Sequence, residues 1–487
     1  MAAETEDLTA KYEAVIGLEV HVQLATRTKI FCACATSFGA PANTNVCPVC
    51  LGLPGALPVL NRAAVEMAVR ASLGLHCRVN PVSRFARKNY FYPDLPKGFQ
   101  ISQYDEPLAE HGWVEVPAAG GGAKRIGITR VHLEDDAGKS IHDGFRDSAD
   151  YTYVDLNRAG TPLIEIVSEP DIRTPDEAYA YLTALKETMQ FLGVSECDME
   201  KGQLRCDANV SIRPRGETKL GTKAEVKNLN SFRFARLAIE YEIARQARVL
   251  SSGGRLVQET RLYNADTGET VSMRSKEHAH DYRYFPEPDL APVRISAEWL
   301  EQIRADMPEP PAEKRARFIA SYGLREYDAQ VLTGSRELSD YFEAVVKACG
   351  DPRLAANWVT GDLMGALDGK PIEESPVPAG RLGELCTLIA KGEISGKLAK
   401  EIFARMVETG DSPGVIMERE GLRQISDKGE LDRIVNEVLA ASTKQVEQYR
   451  SGKTAVIGYL VGQVMKATQG QADPGAVREL LQAKLSS

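Results

Sequence analysis

The sequence predicts an α+β protein: a sheet-rich domain of mostly antiparallel strands with flanking helices, then an all-helical domain and a small helical tail domain. Short segments that alternate apolar and polar residues, separated by turn residues, dominate the chain from residue 12 to residue 293. Beyond them, apolar residues recur at helical period. Proline-rich segments at 286–311 and the segment ETGDSPG at 408–414 mark boundaries, so we expect domains at residues 1–293, 294–407 and 408–487.

Composition and charge limit the class of protein. The 487 residues are 43% hydrophobic and 26% charged, which is ordinary for a globular chain but too long for one core of typical domain size. A net charge of −9 argues against a protein whose whole surface coats nucleic acid. The sequence has no run of about 18 apolar residues and no apolar signal core near its start, so it predicts a cytoplasmic protein without membrane contacts.

The first predicted strand, at residues 17–24, places a carboxylate beside an imidazole. Successive side chains of a strand point to opposite faces, so Glu19, His21 and Gln23 share one face while apolar residues occupy the other. The same alternation at residues 203–213 predicts a further strand with one core face and one polar face.

Capping residues predict three helices among the strands. Residues 61–74 start from an Asn and stop at a Gly, and residues 174–192 start from a Thr that is followed by a Pro and acidic residues. A third helix is expected from residue 232 to residue 250, before two glycines that can cap its end. In the helical region, residues 325–349 and 357–367 have a helical period.

Four of the nine cysteines form a metal-binding pattern. Cys32 and Cys34 precede a stretch rich in Gly, Pro, Asn and Thr, and Cys47 and Cys50 follow it. Four thiolates on two tight turns suit a tetrahedral Zn²⁺ ion, although the first pair is spaced C-x-C rather than the commoner C-x2-C. The alternative is a loop of unligated, reduced thiols. Because a closed four-thiolate site leaves no ligand position for a substrate, a zinc ion here would be structural.

Three acidic stretches supply the oxygen ligands that a nucleotide-bound Mg²⁺ ion takes. They are Glu19 with His21, the run of Glu134, Asp135 and Asp136, and Glu165 with Glu169. For any one stretch, surface or ion-paired carboxylates are the simpler interpretation. The presence of three such stretches in one sheet-rich region favours a magnesium site.

The sequence contains no phosphate-binding loop of the Gly-Lys-Ser/Thr type. DAGKS (136–140) and SGKT (451–454) end like such a loop, but Leu133 and Glu447 occupy the positions of the required first glycine. The residues alone therefore indicate a multidomain protein with a zinc site and a carboxylate-bound magnesium site.

Ordered segments along almost the whole chain resemble one family. They include GLEVHVQL (17–24), FCAC (31–34), RIGITRVHLEDDAGKS (125–140), TPLIEIVSEPDI (161–172), LRCDANVSIRP (204–214) and GYLVGQVMKAT (458–468). In these segments the chain resembles the B subunit, GatB, of the glutamyl/aspartyl-tRNA amidotransferases. The resemblance implies a sheet-rich cradle, a helical domain and a helical tail.

The resemblance also implies an ATP-dependent activity on aminoacyl-tRNA. The B subunit would transfer the γ-phosphate of ATP to the side-chain carboxylate of Glu on tRNA(Gln), or of Asp on tRNA(Asn), and ammonia would displace phosphate to give the amide. The amidase, or A subunit, would release that ammonia from glutamine, and a small C subunit would complete a heterotrimer. Such an enzyme is a carbon-nitrogen ligase that uses ATP and Mg²⁺ and carries a structural Zn²⁺ ion.

By resemblance, the metal and phosphate site falls on five residues. Glu19, His21, Glu134, Asp135 and Glu165 would be catalytic, and all of these but Asp135 would hold Mg²⁺ against the ATP phosphates. Relatives often carry Glu-Glu-Asp where this chain has Glu-Asp-Asp at 134–136. By the same resemblance, the zinc ion would be bound by Cys32, Cys34, Cys47 and Cys50.

The helical tail is expected to contact the tRNA body, because six Lys or Arg residues outnumber three Asp or Glu residues from Ser442 onwards. A hypothesis from another class remains open at this point: a non-catalytic, zinc-bearing adaptor that presents tRNA while a partner does the chemistry. The basic tail and the missing phosphate loop favour this hypothesis, and binding of Mg-ATP to the sheet-rich domain would argue against it.

Overall fold

The computed structural model describes residues 11–118, 121–273, 282–421, 428–468, 472 and 474–486. The chain divides into two compact units, Met1–Pro310 and Pro311–Ser487. The described strands belong to the first unit, and the described elements of the second unit are helices, so the predicted α+β class is confirmed. The finer division at residues 293 and 407 stays a prediction. Within the described ranges, no helix is long and apolar enough to cross a membrane.

The strands, in chain order, are β1 (Tyr12–Gln23), β2 (Arg78–Val79), β3 (Val82–Ser83), β4 (Ala86–Asn89), β5 (Phe99–Ser102), β6 (Ala109–Pro117), β7 (Ala123–Asp135), β8 (Lys139–Ile141), β9 (Tyr153–Asp155), β10 (Pro162–Ser168), β11 (Leu204–Pro214), β12 (Ala224–Lys227), β13 (Glu259–Asn264), β14 (Glu269–Ser272), β15 (Phe285–Pro286) and β16 (Val293–Arg294).

The helices of the first unit are α1 (Arg62–Gly74), α2 (Pro175–Phe191), α3 (Phe232–Ser251) and α4 (Ala297–Ala305). Those of the second unit are α5 (Pro311–Tyr322), α6 (Glu326–Leu332), α7 (Arg336–Cys349), α8 (Pro352–Asn357), α9 (Met364–Leu367), α10 (Ala379–Ala390), α11 (Gly396–Thr409), α12 (Pro413–Glu420), α13 (Lys428–Ala441), α14 (Thr443–Arg450), α15 (Ile457–Ala467) and α16 (Pro474–Ser486). A π-helical segment, Trp358–Leu363, joins α8 to α9.

A nine-stranded sheet organises the first unit, with the strand order β14-β13-β12-β11-β1-β10-β7-β6-β2. β12 and β13 pair in parallel, and the other neighbours in this sheet are antiparallel, as predicted. β1 lies at the centre, between β11 and β10. Short strands form three smaller sheets beside it, of which β15-β4-β5 contacts the end of β7.

One face of the large sheet is covered by helices. α1 packs against β7, α2 against β6 and α3 against β11, and they enclose a core that contains Val20, Leu133 and Ile164. Burial alternates along β1 and along β11 as the sequence predicts, with Leu204, Cys206, Ala208, Val210 and Ile212 on the buried side. The opposite face of the central strands is therefore left to polar side chains.

The predicted helix starts in the first unit are confirmed. The Asn61 side chain accepts a hydrogen bond from the backbone of Ala63, and Thr174 and Ser231 cap the next two helices through Glu177 and Phe234. These contacts satisfy backbone N–H groups that have no partner inside the helix.

The second unit contains two apolar clusters among its described residues, one between Phe318 and Ile416 and one between Leu431 and Leu485. Residues 325–349, for which the sequence predicts a helical period, form two helices separated by a short break. α6 ends at Leu332, and α7 begins only at Arg336, because the Ser335 side chain caps its first turn by accepting from the Leu338 N–H.

Candidate active site

A row of four ionisable side chains crosses the polar face of the central strands. Arg205 on β11 is opposite His21 on β1, His21 is opposite Glu165 on β10, and Glu165 is opposite His132 on β7. Because directly opposed residues of neighbouring strands lie about 5 Å apart, this register fixes the spacing of the row. Glu134, two residues after His132 on the same face of β7, completes the group.

His21, Glu134 and Glu165 meet at one point. The His21 Nε2 atom lies 3.4 Å from a carboxylate oxygen of Glu134 and 3.4 Å from one of Glu165. Ligand atoms from all three residues lie within 4.8 Å of one another. Both carboxylates are almost completely buried, with Glu134 1% and Glu165 7% exposed. We call these three residues the acidic cluster.

His132 contacts the same two carboxylates. Its Nε2 atom lies 3.7 Å from Glu134 and 3.5 Å from Glu165. Burial opposes protonation of His132, but the charge of Glu165 and the hydrogen bonds to both carboxylates outweigh it and raise the pKa of His132 to about 9. The histidines in turn hold the pKa of Glu165 well below its ordinary value despite burial. The two carboxylates are therefore ionised at neutral pH.

The acidic cluster fits a divalent cation. Two ionised carboxylates and an imidazole whose atoms converge within 4.8 Å supply two oxygen ligands and one nitrogen ligand. Mg²⁺ and Mn²⁺ take such carboxylate-rich sets and complete their coordination with water or phosphate oxygens.

Cationic side chains surround the cluster. An Arg130 guanidinium nitrogen lies 3.8 Å from Glu165. Burial opposes the charge of Lys88, yet the nearby Glu134, Tyr284 and Glu165 raise the pKa of Lys88 above its ordinary value. The site can therefore accept an anion as well as a cation.

The structure brings only some of the five predicted catalytic residues together. His21, Glu134 and Glu165 converge, and Glu19 lies two residues before His21 on the same face, where the Asn209 amide donates to its carboxylate at 2.9 Å.

Asp135 is separated from the other four predicted residues. It follows Glu134 in a strand and so points away from it. Its carboxylate pairs with Lys97 and accepts from the Ile101 N–H at 2.7 Å.

Asp136 forms an ion pair with Arg205. The sequence indicates Asp136 only as part of the acidic stretch at 134–136. The carboxylate is 3% exposed and accepts from Arg205 at 2.9 Å and from the Gln23 amide at 3.1 Å. The Arg158 guanidinium lies 3.5 Å from its other oxygen. Burial raises the pKa of Asp136, but the two arginines outweigh this effect and lower it.

Sequence reasoning missed His132 and Arg130. The signal for His132 was present, because the alternation of RVHLED puts it on the same face as Glu134. The same alternation places Arg130 on that face, but its approach to Glu165 depends on the pairing of β7 with β10.

The four predicted cysteines converge on one point. Their sulfur atoms lie within 4.8 Å of one another, with Cys50 Sγ 3.6 Å from Cys32, 3.7 Å from Cys47 and 3.9 Å from Cys34. Four sulfurs around a zinc ion at about 2.3 Å are separated by about 3.8 Å, so the residues fit tetrahedral Zn²⁺.

A buried lysine supplies the matching charge. Lys29 is fully buried and its ammonium lies 3.4 Å from Cys50 Sγ, while it donates to the carbonyl oxygens of Asn45 and Leu156. The hydrogen bond from Cys32, supported by the charge of Lys29, lowers the pKa of Cys50 to about 4. The hydrogen bond to Cys50 and burial raise the pKa of Cys32, and burial raises the pKa of Cys34. A buried ammonium needs a negative partner, and the thiolate of Cys50 supplies it.

Two family models match the chain. The model described as "GatB/GatE catalytic domain" matches residues 14–301, and the model described as "GatB domain" matches residues 340–485. Among curated proteins, the chain is similar to the B subunit of an aspartyl/glutamyl-tRNA(Asn/Gln) amidotransferase from Carboxydothermus hydrogenoformans, with 55% identity over 98% of this chain and 99% of the relative. Relatives with the same description from Persephonella marina and Geobacter sulfurreducens are 55% and 54% identical, over 98% and 97% of this chain and 100% and 99% of their own lengths.

Proposed function

The chain belongs to the GatB/GatE family as a relative of amidotransferase B subunits, and from that membership we propose that it is the ATP-dependent kinase subunit of such an enzyme. It transfers the γ-phosphate of ATP to the side-chain carboxylate of Glu on tRNA(Gln) or of Asp on tRNA(Asn), and the acyl phosphate reacts with ammonia. The observation that carries the proposal is the convergence of His21, Glu134 and Glu165 on the polar face of the central strands.

In this proposal the acidic cluster binds Mg-ATP. A Mg²⁺ ion held there would neutralise charge on the phosphates during phosphoryl transfer. His21, Glu134 and Glu165 would hold the cation, and Glu19 would orient that site from the same face of β1, where the Asn209 amide donates to its carboxylate. His132 keeps the two buried carboxylates ionised and in place from the other side.

The chemistry needs activation because a carboxylate is a poor electrophile. A carboxylate oxygen of the substrate attacks the γ-phosphorus, the bond to ADP breaks, and an acyl phosphate forms. Ammonia then attacks the acyl carbon, phosphate leaves with the former carboxylate oxygen, and the amide remains. An acyl phosphate must be kept away from water until ammonia attacks it, because water would otherwise hydrolyse it.

The remaining parts of the proposal concern assembly. We assign a structural Zn²⁺ ion to the cysteine site, the release of ammonia to the amidase (the A subunit), and the completion of a cytoplasmic heterotrimer to a small C subunit. Asp135 is assigned a supporting role through Lys97 rather than direct contact with the cation, since its side chain leaves the polar face.

The test uses the assembled complex with Glu165→Gln, which removes one negative charge and keeps the shape of the side chain. We expect the wild-type complex to hydrolyse ATP faster when Glu-tRNA(Gln) or Asp-tRNA(Asn) is added, and the variant to lose this stimulation while it still binds tRNA. Glu110→Gln, at an exposed ion pair with Arg78, is the matched control. Undiminished stimulation in Glu165→Gln would refute the site, and a wild-type complex that binds tRNA but not Mg-ATP would favour the adaptor hypothesis.

A further inference from the structure

Arg205 lies at the edge of the acidic cluster without belonging to it. On β11 it is directly opposite His21, and about a third of its side chain is exposed on the polar face. Its charge acts on the cluster, since it opposes protonation of His21. Arg205 is thus placed beside the atoms that the proposed reaction uses.

The fully buried Asp136 fixes the direction of Arg205. One guanidinium nitrogen donates to Asp136 at 2.9 Å, and the Gln23 amide holds the other oxygen of Asp136 at 3.1 Å. Arg158 also approaches Asp136, at 3.5 Å, and donates to the carbonyls of Ala137 and Gly138. Two guanidinium groups thus face one carboxylate, so Arg158, Asp136 and Arg205 together carry one surplus positive charge.

The hydrogen-bonding capacity of Arg205 is not used up. Its Nε atom is buried and has no hydrogen-bond partner among the described residues. Leaving a buried donor unpaired is costly, and guanidinium groups in such positions commonly receive an anion. A guanidinium presents its donors in one plane, which suits the two coplanar oxygens of a carboxylate.

We propose that Arg205 binds the side-chain carboxylate of the amino acid carried by the tRNA, and that it thereby distinguishes the acidic substrate from the amide product. This inference rests on the proposed function. A Glu or Asp side chain offers two charged acceptors to Arg205. A Gln or Asn side chain offers only one, neutral acceptor oxygen, and its NH₂ group is a donor that cannot hydrogen-bond to the N–H donors of the guanidinium. Asp136 is the positioning residue, because it orients Arg205 without touching the substrate.

The test compares tRNA(Gln) charged with Glu and with Gln, bound to the assembled complex. The wild-type complex should bind the acid-charged tRNA more tightly, by about 10- to 100-fold, as a hydrogen-bonded charge pair allows. Arg205→Gln should bring this ratio close to one, and it should change the affinity for Mg-ATP by a smaller factor than it changes this ratio. Arg205→Lys, which keeps the charge but not the planar fork, should give an intermediate ratio, and Arg78→Gln at the far edge of the sheet is the control.

A ratio that stays at the wild-type value in a folded Arg205→Gln variant overturns the inference. So does a loss of Mg-ATP affinity with an unchanged ratio, which would show that the guanidinium binds phosphate instead. If Arg205→Gln does not fold, the lysine variant decides between the same outcomes. Failure of the proposed function looks different, because the wild-type complex itself would then consume no ATP on the acid-charged tRNA.

Discussion

Replacing His132 with Leu should destabilise the first unit, because two ionised carboxylates would lose their buried partner. His132 and Glu134 are almost fully buried, and their charged atoms lie 3.7 Å apart, with Glu165 at 3.5 Å. Removing one partner of a buried ion pair costs about 3–5 kcal/mol. His21 still contacts both carboxylates at 3.4 Å and offsets part of this, so we expect a loss of about 3 kcal/mol.

The loss should depend on Mg²⁺. In the wild-type protein His132 balances the acidic cluster, whereas in the variant a cation bound there replaces it. For a unit of about 300 residues, a loss of about 3 kcal/mol corresponds to a fall in melting temperature of about 5 °C, measured by calorimetry in EDTA. Saturating Mg²⁺ should recover more of the melting temperature in His132→Leu than it adds to the wild-type protein, since ligand binding to the folded state stabilises it.

His142→Gln is the matched control, because His142 is an exposed histidine of the same unit that contacts only Thr152 among the hydrogen bonds described. It should melt like the wild-type protein with and without Mg²⁺. A His132→Leu variant whose melting temperature in EDTA equals that of the wild-type protein would refute the view that His132 stabilises the two carboxylates. Equal Mg²⁺ effects in variant and wild type would refute the view that a cation bound at the acidic cluster takes the place of His132.

Two further predictions concern other parts of the chain. The purified protein should contain about one zinc ion per chain. A variant with both Cys32→Ser and Cys50→Ser should lose this zinc and melt at a lower temperature, while its Mg²⁺ binding stays intact. Metal analysis that finds no zinc in the wild-type protein would contradict the zinc site. In the second unit, burial raises the pKa of Glu343, but Lys314 and Arg317 outweigh the effect of burial and lower this pKa below its ordinary value. The ionised Glu343 therefore stabilises that unit at pH values above its ordinary pKa, and this contribution is lost as the pH falls through its pKa in the folded protein. The difference in stability between the wild-type protein and Glu343→Gln should shrink below about pH 4. A difference that stays constant from pH 7 to pH 3 would contradict this prediction.

The parts of the site that depend on local alternation could be predicted from the sequence. The polar face of β1 with Glu19 and His21, and the buried face of β11, follow directly from the two-residue period of a strand. The same two-residue period, applied to residues 130–136, places Asp135 on the opposite face of the strand from Glu134 and places His132 on the same face as Glu134. The resemblance to a family grouped the five predicted catalytic residues together, but it carried no information on which way each side chain points.

The parts that depend on long-range pairing could not be predicted. Glu165 meets His21 only because β10 pairs with β1 at one register, and a shift by one residue would turn it into the core. The role of Asp136 likewise depends on the distant Arg205 and Gln23. In the helical region, the helical period of residues 325–349 does not reveal the break at residues 333–335. A capped turn interrupts a helix without changing the spacing of apolar residues on either side.

The central claim is that an acyl phosphate forms on the amino acid attached to the tRNA, and one isotope measurement tests it directly. The side-chain carboxylate of Glu-tRNA(Gln) is labelled with ¹⁸O on both oxygens and amidated by the assembled complex with unlabelled ATP. We expect one ¹⁸O atom in each phosphate released during amidation, and no amidation by the Glu165→Gln complex. Amide formed with unlabelled phosphate would contradict the claim, because the carboxylate oxygen would never have been bonded to phosphorus.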